Sequence, residues 1–211
     1  MAASEITGIA PGVTHVRCVV LTQGIVVVLD RITGQQSHTF DFVYHNLGQM
    51  TPVSPWTATP HDQSLGSISN YQNLIDVAKL QGSGPVRLSW DLTGNVVPPP
   101  ANRRNPQPPA PPAVAKLDFW HLPVSGGSFF TAVTGMNNTD TNRMPDTAPT
   151  LIHRVTGQQA FFATAMQPHR GESKIKNIRA SGNEGVTVEF TSGQSITLNL
   201  GELIQKYRVK D

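Results

Sequence analysis

The chain of 211 residues is short of cysteine, charge, long apolar runs and helical patterning. Each shortage excludes something. Cys18 is the single cysteine, so no internal disulfide can form. Its apolar strand context reads as a buried, inert thiol, and a lack of disulfides does not fix the redox compartment. Charged residues make up 14% of the chain and the formal charge is +2. Lys and Arg form no long run, and a group such as Lys174, Lys176 and Arg179 is too thin for the concentrated basic face that nucleic acid requires. A pI near 8.9 is compatible with weak attraction to an acidic polymer. The longest apolar run, Ile25 to Leu29, is far too short to cross a bilayer, so no membrane partner is expected. The opening Met-Ala-Ala-Ser-Glu has neither the basic nor the apolar segment of an export signal; the signal of a secreted parent would lie outside this chain.

Strand patterns fill the space that helix leaves. Val16 to Leu21 and Ile25 to Leu29 are rich in β-branched residues and flank Thr22-Gln23-Gly24, a hairpin signal. The uninterrupted run Ile25-Val26-Val27-Val28-Leu29 predicts a strand covered on both faces. After a turn at Thr33-Gly34-Gln35-Gln36 comes Phe40 to Tyr44. Further strands are predicted at 86–90, 116–122, 129–133, 150–155, 160–166, 174–180, 186–190 and 195–200. Short strands broken by Gly, Asn and Ser turns argue for an all-β chain, an antiparallel β-sandwich formed as one domain over 1–211. Gln72 to Leu80 reads equally as a short helix or a strand edge, and Glu202 to Tyr207 as a terminal helical turn.

Pro98 to Pro112 holds eight prolines in fifteen residues. Proline fixes φ and removes amide donors, so 97–113 is expected to be an exposed, stiff loop within the domain rather than a central strand. One internal echo stands out. Arg31-Ile-Thr-Gly-Gln-Gln is matched by Arg154-Val-Thr-Gly-Gln-Gln, which reads as two hairpins sharing turn chemistry.

The first three strands carry His15, Asp30, His38 and His45 near their ends. Imidazole and carboxylate groups gathered by neighbouring strands form a zinc-type cage, which needs three or four ligands at about 2.0–2.2 Å. A hairpin centred on Leu21 to Gly24 places His15 opposite Asp30, close enough to share an ion. A turn one residue later places Arg17 opposite Asp30 and gives an ordinary salt bridge instead. For a third ligand, simple counting brings His38 nearer Asp30, while a bulge or a non-adjacent strand order would favour His45.

These residues resemble the opening of the β-sandwich in heparinase II/III-like polysaccharide lyases. The features are His15-Val-Arg17, then Val27-Val-Leu-Asp30-Arg31, then Phe40-Asp-Phe-Val-Tyr-His45. Trp120-His-Leu-Pro123 and Phe161 to His169 resemble later strands, so the likeness runs from about residue 12 to 200. It implies a supersandwich-like fold and a structural divalent metal, zinc above others, on His15, Asp30 and His45, which ranks His45 above His38. It also implies a secreted or periplasmic parent, and as partners an acidic polysaccharide or an upstream helical lyase domain.

The lyase reaction removes the proton α to a uronate carboxylate and expels the 4-linked sugar. It needs a Tyr or His base and groups that neutralise the carboxylate. In the family most of these come from a helical toroid, and no set of long amphipathic helices occurs in this sequence. Where many members place a catalytic His, this chain has Val13. No catalytic residue is therefore assigned, and the chain alone is expected to be inactive. Tyr44 reads as packing. Trp90 and Trp120 read as core, while Trp56, among prolines, is the tryptophan expected to be exposed for sugar stacking. His169 and Arg170, after Pro168, are candidates to meet a polymer carboxylate. Three classes follow: a metal-pinned sandwich supporting a lyase, a non-catalytic carbohydrate-binding module, and a structural or assembly β-domain with no sugar ligand.

Overall fold

A computed structural model describes residues 2–7, 10–53, 55–66, 71–92, 115–135 and 147–207. The proline-rich segment 97–113 lies outside the described residues. Thirteen strands and one short helix occur among those described: β1 (Ala2–Thr7), β2 (Val13–Thr22), β3 (Ile25–His45), β4 (Gln49–Pro52), β5 (Thr57–Pro60), β6 (Ile75–Gln81), β7 (Val86–Asp91), β8 (Lys116–His121), β9 (Ser128–Gly135), β10 (Thr147–His169), β11 (Ile175–Ala180), β12 (Gly185–Phe190), β13 (Ser195–Asn199) and α1 (Leu200–Tyr207). The fold is all-β, and every strand pair is antiparallel.

The hairpin between β2 and β3 closes on a two-residue loop. Gln23 and Gly24 sit at φ 49° and 77°, the left-handed pair that a tight turn between right-twisted strands requires. Thr22 therefore faces Ile25, and the register runs on to place Arg17 opposite Asp30. Of the two hairpin registers that the sequence allows, this is the salt-bridge one.

The largest departure from the sequence reading concerns Thr33 to Gln36. The segment is no hairpin turn. β3 runs through it, and β10 likewise joins the two strands expected at 150–155 and 160–166. The two long strands pair from Val26↔Met166 to His45↔Thr150, with one break between Gly157 and Gln159. At that break β3 passes from Thr33 to His38 while β10 spends only Gln158. Phe42 pairs near one end of the ribbon and Phe162 beyond the break, yet their rings are 5.7 Å apart. The ribbon must therefore fold back on itself at this corner, and its two halves become the two layers of the sandwich.

An aromatic core fills the space between those layers, with Phe40, Phe42, Trp90, Phe119, Phe129, Leu151 and Phe162 buried together. A second core covers the outer face of β2, β3, β8 and β10. There Cys18, Ile25, Val27, Leu29, Trp120 and Ala163 meet Ile178, Val186 and Val188 of the separate sheet β11–β12–β13, and Leu200 and Leu203 of α1. Ile25, Val27 and Leu29 are fully buried, whereas Val26 and Val28 are half-buried, so the apolar run is covered completely on one face only. Cys18 is buried, as expected, and burial pushes its thiol up.

Two open readings are decided. After a single 3₁₀ turn at Tyr71–Asn73, residues 75–81 form strand β6, which pairs with β5 and β9. The terminal turn is α1, capped where the Asn199 Oδ1 accepts from the Glu202 amide at 3.3 Å.

Candidate functional site

Asp30 is 1% exposed on β3, and a buried carboxylate is tolerated only when paired and hydrogen-bonded. Arg17 meets it from directly across the ladder. Its Nε donates to Oδ1 at 2.6 Å and its second guanidinium nitrogen to Oδ2 at 3.1 Å. His15 lies diagonally, opposite Ile32, and its Nε2 reaches Oδ1 at 2.6 Å. Both carboxylate oxygens are thus occupied by donors from one neighbouring strand.

The other two candidate ligands are elsewhere. His45 is exposed at the end of β3, opposite Thr150. His38 faces Gly157 at the ribbon corner, its ring packed on Gly34, where an added Cβ would come within 2.7 Å of His38 Cδ2. Among the described residues no three His, Cys, Asp or Glu side chains are grouped to hold a metal ion. Two of the three donors expected for zinc are together. The third is not, and Arg17 holds the carboxylate that an ion would need. The described residues as placed do not complete a zinc cage.

The sugar-stacking expectation for Trp56 needs correction. Its side chain is buried, its Nε1 donates to the Pro85 carbonyl at 2.9 Å, and its ring meets Phe129 edge-on at 5.3 Å. Gly82 leaves it room: a Cβ there would fall 2.5 Å from the indole. Flanking prolines signal a loop locally, but β5, β6 and β9 close over the ring. Trp90 and Trp120 are core, as read from their strands, and Tyr44 packs against Trp90 and Phe119.

His169 and Arg170 line an open hollow of about 430 Å³ with Gln23, Gln167, Glu172 and Lys174. Arg170 and Lys174 are exposed. His169 is turned inward, its Nδ1 against the Gly171 carbonyl at 2.6 Å and its Nε2 3.4 Å from Asp118 Oδ1. Asp118 in turn accepts from Arg87 at 2.8 Å. Burial alone would raise its carboxyl, but the Arg87 and Ser173 hydrogen bonds and the nearby positive charges hold it below the usual carboxylate range. The Arg87 guanidinium also lies 4.9 Å from the centre of the Trp120 ring.

Two polar groups escaped the sequence reading. Arg154 grips both oxygens of Asp41 at 2.8 Å, and Tyr71 donates to the same carboxylate at 2.5 Å. Burial, then the Asp41 carboxylate, push the Tyr71 phenol well up. In the aromatic core His121 Nε2 is 2.8 Å from His153 Nδ1, and His121 Nδ1 is 2.7 Å from Thr164 Oγ1. Both imidazoles are fully buried; burial lowers His153 to about 4, and burial with the neighbouring His153 holds His121 well below its ordinary value. The only sequence signal for these groups was polar residues at core-facing positions of strands.

No protein family model matches the sequence, and no curated protein matches it. Solved structures do match. A heparinase III with methylated lysines superposes with a TM-score of 0.52 at 10% identity, over 93% of this chain and 25% of its own. The chain shares its fold with part of heparinase III. A heparan sulfate lyase HepC from Pedobacter heparinus aligns over 94% of this chain and 26% of its own, at 13% identity and a TM-score of 0.42. A mutant of it aligns over 90% and 24%, with a TM-score of 0.41. The chain thus spans about a quarter of each of these proteins. Among the described residues no helix is long and apolar enough to cross a membrane.

Proposed function

We propose that this chain is the β-sandwich portion of a lyase acting on uronate-containing polysaccharides, that its parent is secreted or periplasmic, and that the portion is inactive alone. The observation that carries the reading is the fold shared with heparinase III over 93% of this chain but only a quarter of the enzyme. Partial coverage makes a companion domain, or a separate helical chain, the natural partner.

The side chains support inactivity of the isolated portion. A base for α-proton removal needs a pKa brought toward neutrality. Burial raises the Tyr44 phenol, and burial with Asp41 raises that of Tyr71, so neither is primed to accept a proton. His121 and His153 have the opposite problem, being sealed in the core away from any polymer. Val13, where many family members have a catalytic His, is itself buried in the aromatic core.

Contact with an acidic polymer falls to the exposed Arg170 and Lys174 beside the hollow on β10, with His169 clamped behind them. A zinc ion would have to take His15 and Asp30, displace Arg17 from the carboxylate, and find a third donor from outside that pair.

The test uses heparin, alginate and hyaluronan. The chain alone is expected to release no unsaturated product by ultraviolet absorbance, yet to bind heparin in a salt-dependent way that weakens in Arg170→Ala with Lys174→Ala. Robust turnover by the chain alone, or heparin binding indifferent to that double variant, overturns the reading.

A further inference from the structure

The repeated Thr-Gly-Gln-Gln segment has a spatial meaning. Both Thr-Gly-Gln-Gln copies lie at the ribbon corner, on facing strands, with Thr33 paired to Gln159 and Gly157 to His38. Between them is an open hollow of about 540 Å³ lined by Thr33, Gly34, Gly157, Gln158 and Gln159. That volume falls in the range of small-ligand sites. The lining carries no charge. Gln35, Gln36, Ser37, Gln158 and Gln159 are all exposed there, so the rim is dense in amides and hydroxyls.

Two details set this corner apart from an ordinary polar turn. His38 Nε2, buried beside Gly34, finds no hydrogen-bond partner among the described residues. Its ring lies on Gly34, a wall of the hollow, where a side chain would collide with the imidazole at 2.7 Å and with the Gln36 carbonyl at 3.0 Å. Gly157, on the opposite wall, is different. A Cβ there would meet nothing closer than 3.6 Å, so sterics alone do not require glycine. With glycine the wall stays open.

We propose that this corner binds an uncharged, hydroxyl-rich sugar unit, held by the Gln158 and Gln159 amides and the Thr33 hydroxyl. Each primary amide offers two donors and an acceptor, which matches vicinal sugar hydroxyls that both donate and accept. The absence of charge in the lining separates this site from the Arg170–Lys174 hollow, which suits carboxylate or sulfate. The inference does not rest on the acidic-polysaccharide reading, because its ligand carries no charge.

Amide NMR titration of the whole chain with cellotetraose tests it. Backbone signals of Gly34, His38, Gly157 and Gln159 and the Gln158 side-chain amide should shift, with a Kd on the order of 1 mM. Gln158→Ala with Gln159→Ala should weaken binding about tenfold or more. Gly157→Val should do the same by filling the hollow, while a dispersed spectrum reports that the fold is kept. The proposal is overturned if corner signals stay still, if the shifts centre on His169 to Lys174, or if a folded Gly157→Val binds as well as the parent. Heparin binding unaffected by the corner variants leaves the lyase reading standing on its own test.

Discussion

Arg17 and Asp30 face each other across the first hairpin, and one guanidinium closes both oxygens of a carboxylate that is almost wholly buried. The pair joins β2 to β3. Arg17 is half exposed, so water screens part of the attraction. The carboxylate has no such relief.

Removing Arg17 leaves that carboxylate with His15 alone. Arg17→Met should lower unfolding free energy by about 2 kcal/mol, below the cost for a fully buried pair because half of the guanidinium side is wet. Urea denaturation with unchanged m-value is the measurement. The double variant Arg17→Met, Asp30→Leu should recover part of the loss, since an apolar pair leaves no charge stranded.

The occupancy of Asp30 sets an expectation for metal. With Arg17 in place, melting temperature should not change on adding a chelator, and zinc content after dialysis should be well below one per chain. A full equivalent of zinc that disappears in His15→Ala or His45→Ala would show that Arg17 yields to an ion.

Acid should unfold the chain through its core histidines. Burial holds His153 at about 4, below its ordinary 6.5, so the unfolded chain takes up protons that the folded one refuses. The stability this group contributes is complete above about pH 6.5 and is lost as pH falls toward 4. His121 acts in the same direction. Urea midpoints measured from neutral pH downward should drop across that window. Replacing the pair, His121→Leu with His153→Leu, should flatten the slope even if the baseline stability differs.

Trp56 should behave as a core residue. Trp56→Ala is expected to cost about 3–4 kcal/mol, as for other buried tryptophans, and to leave any glycan titration of the folded protein unchanged. Loss of sugar binding without loss of stability would restore the stacking role.

The residues by themselves determined a good deal. β-branched runs, scarce helix and glycine turns specify an all-antiparallel sandwich, and Thr22-Gln23-Gly24 marks a hairpin between the two apolar runs without setting its register. Cys18, Trp90 and Trp120 could be placed in the core from strand alternation alone. Only the tertiary structure decided the rest. Thr33 to Gln36 looks like a turn locally, yet β10 pairs on both sides of it and carries the chain through a corner, so His38 and His45 part company with Asp30. A one-step choice of register put Arg17, not His15, directly opposite that carboxylate. Trp56 was covered by strands whose positions no local signal gives. Turn chemistry and alternation act over a few residues, whereas the fold-back of a ribbon depends on two segments more than a hundred residues apart burying one aromatic layer between them.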